Sequence, residues 1–385
     1  MKHLIISREY PPAAYPPGGI GAYVANIARL LAERGETVHV IGQRWDGAPS
    51  AREELCGGKL VVHRIGEDDV PVGGTPSELQ GLKTTVFPAQ WFSWSAALLA
   101  ERLIEEERID VVEAQEWEAP LYYFFVRRSL QLGPERRPPC IVHLHSPTEF
   151  TRHFNGHPAT PPQFLTMKRM EAFCISAADA LLCPSRYLAR QASGHFGLAL
   201  EEVKVIPLPV GMTSVVQRSE QTWATGGVCY VGRIEPRKGI VEWFEAATRV
   251  AQENPSVHFD FVGADIWDMS ATLLDRLPQE LLPRFRFHGS RPREELPNFL
   301  AQAMAGVVPS RWENFPNVCI EAMGSGLPVI ATRLGGMVEL IEDDRTGWLT
   351  PDTGVAGMVD GLADALRRCL ATSARQRADM GAAAG

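Results

Sequence analysis

Short apolar runs alternate with amphipathic, helix-like stretches along most of this 385-residue chain. Strands buried on both faces of a parallel sheet are continuously apolar, and each needs a helical crossover to reach the next parallel strand. The alternation therefore predicts an α/β fold with parallel sheets covered by helices. Predicted strands occupy residues 4–7, 38–42, 111–114, 140–143, 180–183, 228–231, 258–262, 285–288, 305–309 and 329–331, and predicted helices occupy residues 23–34, 91–107, 164–178, 240–252, 318–323 and 337–341.

The segment 207–226 interrupts this alternation, because it is polar, contains Pro and Gly, and has no clear period. Domains usually contain about 100–200 residues, so this chain has room for two. We predict two Rossmann-like, doubly wound domains, 1–208 and 209–385, that face each other across a cleft. Ligands of such sheets bind at the carboxyl ends of the strands, so we expect the site in that cleft.

The charge distribution argues against nucleic acid as a partner. Residues 1–210 carry 21 Lys and Arg against 24 Asp and Glu, and the remaining residues carry 17 against 22, for a net charge of −8. Binding to a phosphate backbone requires clustered cations, and neither half is basic. A small cationic pocket for a phosphorylated ligand remains compatible with these numbers.

The seven cysteines are odd in number, and none forms a Cys-x-x-Cys pair. This pattern favours reduced, buried thiols in a cytoplasmic protein. The first apolar run is too short for a signal peptide, and no stretch approaches the ~18–20 apolar residues of a membrane span. We therefore expect a cytoplasmic protein with at most a peripheral contact at the inner membrane face.

The loop between the first strand and the first predicted helix is rich in glycine, with Gly18, Gly19 and Gly21 just before Ala22. Glycine lets the backbone approach a ligand closely, and the free N–H groups at a helix start attract an anion. A dinucleotide-binding fingerprint would need a third glycine where this chain has Val24, which speaks against an NAD-dependent oxidoreductase. A plain turn is the alternative interpretation.

A second candidate site, residues 231–239, follows the predicted strand 228–231. Arg233 and Lys238 would both lie at the carboxyl end of that strand. Two cations at a helix start can neutralise a diphosphate, Arg as a planar fork and Lys as a point charge. The alternative is a solvated turn with incidental charges.

The third candidate site runs from Glu313 to Glu321. Glu313 is expected in a loop, Asn317 as the N-cap of the next helix, and Glu321 one turn into that helix. Carboxylates can accept hydrogen bonds from pairs of hydroxyl groups, as in a sugar or a ribose, and backbone N–H groups of the loop and helix start add donors. Glu321 could instead be a carboxylate that stabilises the helix dipole. The other candidate residues of this site are Asn314, Phe315, Pro316 and Val318.

Two histidines lie at or near the end of the predicted strand 140–143. His145 would be positioned to hydrogen-bond a substrate hydroxyl, whereas His143 is expected inside; each could be purely structural. The chain has no Asp-x-Asp triplet and no His, Cys or Asp cluster with metal-ligand spacing. The cations Arg233 and Lys238 could neutralise the phosphates themselves, so no metal and no cofactor is needed to explain the site.

Together these motifs resemble the family 4 retaining glycosyltransferases, which have the GT-B architecture of two Rossmann-like domains. The resemblance covers nearly all of the C-terminal half, whereas in the N-terminal half it rests mainly on the first loop, His145 and residues 178–187. In the C-terminal half it rests on residues 231–239, Glu313 with Glu321 eight positions on, residues 321–331, the Gly335-Gly336…Glu339 motif and Thr346-Gly347.

The resemblance implies a hexosyltransferase of carbohydrate biosynthesis whose N-terminal domain binds the acceptor and whose C-terminal domain binds a UDP-, GDP- or ADP-linked sugar. Arg233 and Lys238 would hold the diphosphate, with Gly19 amides nearby. Glu313 would bind sugar hydroxyls, and Glu321 the ribose. His145 would contact the donor sugar. Such enzymes retain anomeric configuration without a metal, and cation pairing stabilises the leaving diphosphate.

Two departures from the family pattern affect these expectations. Pro316 and Asn317 stand where family members often have glycine and leucine, and proline lacks the N–H for one contact with the donor sugar. The sequence also stops at Gly385, where relatives continue into helices that cross back onto the N-terminal domain, so the crossing is expected to be truncated or shortened.

The acceptor and any membrane contact have no clear signature. Residues 66–90 and 146–163 are the expected acceptor loops. The aromatic clusters at 91–94 and 122–128 fit either core packing or contact with lipid. Alternative functions are a GT-B nucleotide-sugar epimerase and a non-catalytic carbohydrate-binding homologue.

Overall fold

The computed structural model describes residues 1–12, 19–45, 47–48, 50–66, 81–82, 89–157, 162–209 and 215–385. The chain divides into two compact units. Unit 1 comprises Met1–Phe150 and His157–Pro209, and unit 2 comprises Thr151–Gly156 and Val210–Gly385. Gly18 and most of the segment 66–90 lie outside the described residues.

The described part of unit 1 is built on an eight-stranded sheet with the order β3-β4-β2-β1-β5-β6-β7-β8. Every neighbouring pair is parallel except β3 with β4. The central strand β1 is apolar and buried from Leu4 to Ile6, as expected for a strand covered on both faces. The strands are β1 (Lys2–Ile6), β2 (Thr37–Gln43), β3 (Arg52–Leu55), β4 (Leu60–Ile65), β5 (Val111–Gln115), β6 (Cys140–His143), β7 (Ala180–Cys183) and β8 (Val203–Val205).

Helices connect these strands. Their order along the chain is α1 (Gly19–Glu33), α2 (Ala89–Glu107), α3 (Tyr122–Ser129), α4 (Thr148–Phe154), α5 (Pro162–Ala177) and α6 (Arg186–Phe196), with 3-10 turns at Cys56–Gly58 and Leu200–Glu202. Helix α4 contributes residues to both units. It lies in the segment 146–163, so the prediction that this whole segment is a loop was wrong.

The described part of unit 2 contains a six-stranded, fully parallel sheet with the order β11-β10-β9-β12-β13-β14. Its core includes Trp243, Phe259, Phe261 and Trp348, and the ring of Trp243 meets Phe259 edge-on at 5.7 Å. The strands are β9 (Gly227–Val231), β10 (Phe259–Val262), β11 (Phe285–Gly289), β12 (Ala303–Val308), β13 (Val329–Ala331) and β14 (Gly347–Leu349).

The helix after β9 shows how the sequence builds this unit. Its buried residues include Ile240, Trp243, Phe244, Ala247 and Val250, the helical spacing of one apolar face. The helices of unit 2 are α7 (Glu220–Thr225), α8 (Ile240–Glu253), α9 (Met269–Leu274), α10 (Leu296–Ala301), α11 (Asn317–Gly324), α12 (Met358–Ala371) and α13 (Ala374–Ala384), with 3-10 turns at Pro236–Lys238, Gln279–Arg284, Arg293–Glu295, Gly336–Glu339 and Val355–Gly357.

The end of the chain is helical, from Ala374 to Ala384. Helix α13 starts with a capping box in which Ser373 accepts from the Gln376 N–H. Gly381 packs so closely that a Cβ there would lie 2.2 Å from the carbonyl oxygen of Gly326. Its small residues therefore serve close packing against the end of α11.

The aromatic clusters at 91–94 and 122–128 pack mainly into the protein. Trp91, Phe92, Phe124 and Phe125 are buried. The adjacent Arg127 pairs with a glutamate of α2 at 2.8 Å. Among the described residues, none of the helices combines the length and the apolar character required to cross a bilayer.

A histidine pair lies on one face of the unit 1 sheet. Nδ1 of His39 on β2 is 3.2 Å from Nε2 of His63 on β4. Burial, with smaller contributions from the charges of His39, Arg52 and Arg102, lowers the pKa of His63 to about 4. Burial also lowers the pKa of His39, against the opposing charge of Glu107.

We expect this pair to make unit 1 sensitive to acid. His63 of the unfolded chain takes up its proton near pH 6.5, whereas the folded chain does so only near pH 4. The contribution of the neutral His63 imidazole to the free energy of unfolding is therefore complete above pH 6.5 and is lost as the pH falls toward 4. The free energy of unfolding, measured in urea, should fall between pH 7.5 and pH 4.5 in both proteins. In His63→Gln this decrease should be smaller than in the wild type by about 1–2 kcal/mol. Equal losses in both proteins would contradict this prediction.

Candidate functional site

The turn after β9 carries the cations that the sequence predicts to bind a diphosphate. Two glycines pack against each other there: a Cβ on Gly263 would lie 1.8 Å from the carbonyl oxygen of Gly232. The hydroxyl of Tyr230 donates to the carbonyl oxygen of Arg233 at 2.6 Å. Close packing and this side-chain bond therefore fix the backbone from which the cations project.

Lys238 and Glu313 are in direct contact in unit 2. The Nζ group of Lys238 donates to Oε1 of Glu313. The same oxygen accepts from the Ser310 hydroxyl at 3.2 Å and lies 3.3 Å from Nη1 of Arg237. Burial is the strongest influence on the Glu313 carboxyl and opposes its ionisation, but Lys238 and Arg237 outweigh it and lower the pKa of Glu313. Burial lowers the pKa of Lys238, and Glu313 opposes that effect.

Arg237 is a buried member of this cluster that sequence reasoning missed. Its side chain donates to Oε1 of Glu235 at 2.8 Å and to the carbonyl oxygen of Trp312 at 3.3 Å. Burial opposes its charge, but Glu313 and Glu235 more than compensate and raise the pKa of Arg237. Arg237 lies in the turn 231–239 of the sequence analysis. Only Arg233 and Lys238 matched the family motif there, so Arg237 was not selected.

Arg233 occupies a more open position than Arg237. About half of its side chain is exposed, and its Nη2 is 3.5 Å from Oε1 of Glu235. The structure thus brings Arg233 toward Glu235, and Lys238 toward Glu313. Diphosphate binding by Arg233 and Lys238 stays a prediction.

The segment that begins with Glu313 leads directly into α11. A Cβ on Gly335 would lie 2.3 Å from the Glu313 carbonyl oxygen, and the N–H of Gly336 donates to that oxygen at 2.9 Å. The helix begins at Asn317, and its N-cap residue is Pro316. The prediction that Asn317 is the N-cap was therefore wrong, because the helix begins one residue earlier than expected. Of the other candidate residues, Asn314 is buried and Phe315 and Val318 are half-buried.

Glu321 lies in α11 and pairs with a cation from another part of unit 2. Nη2 of Arg293, in the 3-10 turn after β11, is 2.5 Å from Oε1 of Glu321. Burial raises the pKa of Glu321, against the opposing effect of Arg293. The sequence analysis did not identify Arg293, because it precedes Glu321 by 28 residues and no motif links the two. The predicted ribose contact of Glu321 remains a prediction.

In unit 1, Gly19 and Gly21 lie in the first turn of α1, whereas the sequence predicts a loop up to Ala22. The helix begins at Gly19. A Cβ on Gly21 would lie 2.4 Å from the carbonyl oxygen of Glu9, so only glycine fits there without a backbone shift. The amide of Gly19 is therefore among the N–H groups at a helix start, which is the position that attracts an anion.

His145 lies just beyond β6 in unit 1 and is 5% exposed. Its backbone N–H donates to Oε2 of Glu116 at 2.8 Å, and the N–H of Ser146 donates to Oε1 of the same carboxyl at 2.5 Å. Burial, with a further contribution from His143, holds the pKa of His145 well below 6.5. The imidazole is therefore neutral near pH 7 and can exchange hydrogen bonds with a hydroxyl.

His143 takes part in a hydrogen-bonded group beneath His145. The Tyr23 hydroxyl donates to Oε1 of Glu113 at 3.0 Å, and Nδ1 of His143 lies 3.0 Å from that hydroxyl. Nδ1 of His143 also lies 3.4 Å from Oε1 of Glu113, whereas its Nε2 has no hydrogen-bond partner among the described residues. His143 is buried, as expected, and the centre of its ring lies 4.2 Å from that of His145, with the two planes tilted by 37°.

Two buried carboxyl groups organise the chain around His145, and sequence reasoning identified neither. Burial raises the pKa of Glu116 to about 7 and that of Glu171 to about 8. Glu171 accepts from the Thr148 N–H at 3.0 Å and from the Glu118 N–H at 3.2 Å. Because these partners are remote in sequence, no motif spacing reveals them.

The predicted site residues therefore fall into two groups. Gly19 and His145 lie in unit 1, whereas Arg233, Lys238 and the 313–321 segment lie in unit 2. Within unit 2, the buried carboxylate of Glu313 contacts two cations, Arg237 and Lys238. Such an arrangement can bind an anion next to hydroxyl groups.

Two family models match this chain. Residues 17–212 match the model of Glycosyltransferase Family 4, and residues 225–372 match the model described as Glycosyl transferases group 1. A D-inositol 3-phosphate glycosyltransferase of Kribbella flavida is 28% identical, over 97% of this chain and 87% of the relative. A glycogen synthase of Mycobacterium tuberculosis is 25% identical, over 98% of this chain and 89% of the relative.

Solved structures share the fold. Sucrose-phosphate synthase from Thermosynechococcus elongatus has a TM-score of 0.72 and 20% identity, covering 100% of this chain and 92% of that one. HepE of Anabaena, in complex with UDP and glucose, has a TM-score of 0.67 and 19% identity, covering 100% and 93%. These likenesses confirm the predicted GT-B fold class of two Rossmann-like α/β domains.

Proposed function

Because the chain belongs to Glycosyltransferase Family 4, we propose that it transfers a sugar from a nucleotide-diphosphate sugar to a hydroxyl acceptor, with retention of anomeric configuration. The observation that carries the proposal is the buried contact between Lys238 and Glu313. A cation that can bind phosphate and a carboxylate that can accept from sugar hydroxyls are adjacent, and these are the two chemistries of such a donor.

The charge of the unit 2 cluster suits a diphosphate. Three cations, Arg233, Arg237 and Lys238, lie around two carboxylates, Glu235 and Glu313, which leaves one positive charge in excess. In the proposal, the half-exposed Arg233 and the ammonium of Lys238 bind the phosphate oxygens. Preorganised cations stabilise the charge that develops on the leaving diphosphate. This stabilisation lowers the activation free energy by roughly 3 kcal/mol.

The carboxylates supply the specificity for hydroxyl groups. Glu313 would accept from hydroxyls of the donor sugar, and Glu321 would accept from the ribose hydroxyls, with Arg293 holding its carboxylate in place. Pro316 lacks an N–H and therefore could not donate a hydrogen bond to the donor sugar. We assign backbone contacts with the donor to the surrounding residues Asn314, Phe315, Asn317 and Val318, and contacts with the phosphates to Gly18 and Gly19.

For His145 we propose a hydrogen bond to a hydroxyl of the donor sugar. Its neutral imidazole fits this role better than that of a cationic stabiliser, because burial disfavours its protonation. In the reaction, the acceptor oxygen forms a bond to the anomeric carbon as the bond to the diphosphate oxygen breaks. The acceptor proton moves to the departing diphosphate on the same face, so retention requires no covalent enzyme intermediate and no metal.

The relatives narrow the first choice of donor. HepE was crystallised with UDP and with UDP-glucose, so a uridine donor is the first to test. The acceptor stays open, since the curated relatives include an inositol-phosphate glycosyltransferase and a glycogen synthase. We further propose that the domain 1–208 binds the acceptor, that the domain 209–385 binds the donor, and that the protein works in the cytoplasm.

A thermal-shift panel with UDP, GDP and ADP and their glucose or mannose conjugates tests the proposal. A ligand that binds only the folded chain at 100 times its Kd adds about 2.7 kcal/mol of stability and should raise Tm by several degrees. Binding of no member of the panel would contradict the proposal.

The ligand that binds should then be incubated with candidate acceptors, and the products analysed by NMR. A glycoside with the donor's anomeric configuration and a free nucleoside diphosphate are the expected products. An epimerised sugar still attached to its nucleotide would identify an epimerase instead. Tight binding without turnover on any acceptor would favour a carbohydrate-binding homologue.

A further inference from the structure

Arg237 is the most deeply buried cation of the unit 2 cluster, with 6% of its surface exposed. Its guanidinium is shared between Glu235, at 2.8 Å, and Glu313, at 3.3 Å, and it also donates to the carbonyl oxygen of Trp312. A planar fork that contacts three acceptors in fixed directions resists reorientation.

The backbone of Arg237 is fixed as well. Its N–H donates to Oδ1 of Asn155 at 3.0 Å, and its carbonyl oxygen accepts from the N–H of Arg311 at 2.8 Å. Lys238, by contrast, is a point charge at the end of a flexible stem. Of the two cations on Glu313, Lys238 is therefore the one that can turn to a ligand.

Movement of Lys238 changes the charge balance around Glu313. Burial opposes the ionisation of this carboxyl, and the two cations are what outweighs it. If Lys238 left and no other cation remained, a buried carboxylate would be uncompensated and would tend to take up a proton. A protonated carboxyl group loses acceptor capacity for hydroxyl groups.

We propose that Arg237 is a positioning residue of the donor site, which stays on Glu313 when Lys238 turns to the diphosphate and so keeps Glu313 ionised and oriented for the donor sugar. This inference rests on the proposed function. The groups that face Glu313 are Lys238 and Arg237 from the turn after β9, with Glu235 beyond Arg237, Tyr230 from β9, Ser310 from the loop after β12, and Cys319 from α11.

The test compares the wild type with Arg237→Gln, Arg237→Lys and the double variant Arg237→Gln/Glu235→Gln. The Kd values of UDP and UDP-glucose are measured by calorimetry between pH 5.5 and 8.5, or those of GDP and GDP-mannose if the panel selects guanosine. In Arg237→Gln, the ratio of the sugar-nucleotide Kd to the nucleotide Kd should rise about tenfold, because only the sugar depends on Glu313. The acid limb of sugar-nucleotide binding should move to higher pH.

The other variants separate this role from a structural one. Arg237→Lys keeps the charge and should retain the wild-type acid limb. The double variant also removes the charge of Glu235, which restores the net charge of the cluster. If net charge alone mattered, the Kd ratio would return to the wild-type value. We expect the tenfold rise in the ratio to persist. If Arg237→Gln does not fold, the charge-balanced double variant carries the same test, and an unchanged ratio there overturns the inference.

Three results would overturn the positioning role: equal weakening of both ligands, an unmoved acid limb, or full recovery in the double variant. Failure of the proposed function gives a different result, since the wild type would then bind no nucleotide sugar at all. Circular dichroism and the Tm of each variant verify that the chain is folded.

Discussion

Lys238→Ala is expected to lower kcat/KM for the donor about 10³-fold, with a decrease in kcat as well as weaker binding. The ammonium would neutralise the leaving diphosphate, and loss of one preorganised donor to developing charge costs about 10²–10³-fold in rate. Loss of ground-state phosphate binding adds to this effect. Glu313 keeps Arg237 at 3.3 Å, so its charge remains compensated and the fold should persist.

Lys204→Ala is the matched control, because it makes the same substitution at an exposed lysine of β8. It should leave kcat/KM within about twofold of the wild type, as expected of surface changes away from a site. Initial rates at several donor concentrations, with the donor identified by the panel, give kcat and KM separately. Wild-type turnover in folded Lys238→Ala would remove Lys238 from the proposed mechanism.

Gly239→Ala is expected to destabilise unit 2 by about 3 kcal/mol. Gly239 has φ of 67°, and a Cβ there would lie 1.8 Å from the carbonyl oxygen of Pro309. Alanine is strained in that conformation, and the collision involves backbone that cannot rotate away. For a unit of this size, the change should lower Tm by roughly 6–12 °C.

Gly289→Ala separates the two causes. Gly289 has φ of 69°, but nothing lies within 4 Å of its ideal Cβ. This variant should therefore show only the conformational cost of about 1 kcal/mol, or roughly 2–4 °C in Tm. Equal Tm values for the two variants would show that the turn relaxes to accept the methyl group beside Lys238.

The regular part of the fold was predictable from the sequence. Strands such as Cys140–His143 and Val329–Ala331 have the boundaries expected from their apolar runs, because parallel strands are buried on both faces. The edge strand Arg52–Leu55 was missed. It is polar and pairs antiparallel on one side only, so it lacks the apolar signal that marks the central strands.

The candidate site was predictable only where local motifs carry it. Lys238 and Glu313 lie in such motifs, 75 residues apart, and the fold brings them together. Arg293 and Glu116 could not be identified in the same way, since their importance arises from partners that become neighbours only after folding. Burial of Glu116, which raises its pKa to about 7, is likewise a property of the folded chain.

The predicted helix boundaries were wrong at glycine, because glycine occurs both in loops and at closely packed helix ends. Gly19 and Gly21 indicated a loop, but both lie in the first turn of α1, where a Cβ on Gly21 would collide with the Glu9 carbonyl oxygen. At the end of the chain, Gly381 allows α13 to pack closely on Gly326. Glycine thus marked close approach in both places, and its tertiary partner decided the conformation.

The contact between Lys238 and Glu313 also bears on competition among the anions of a cell. Free phosphate or pyrophosphate can attract the ammonium only by breaking an existing pair, and it brings no hydroxyl groups to Glu313 in return. A donor brings both, so each of the separated charges gains a new partner. In the proposed donor site, the closed pair would therefore disfavour abundant small anions and keep the cation for a ligand that carries phosphate and sugar together.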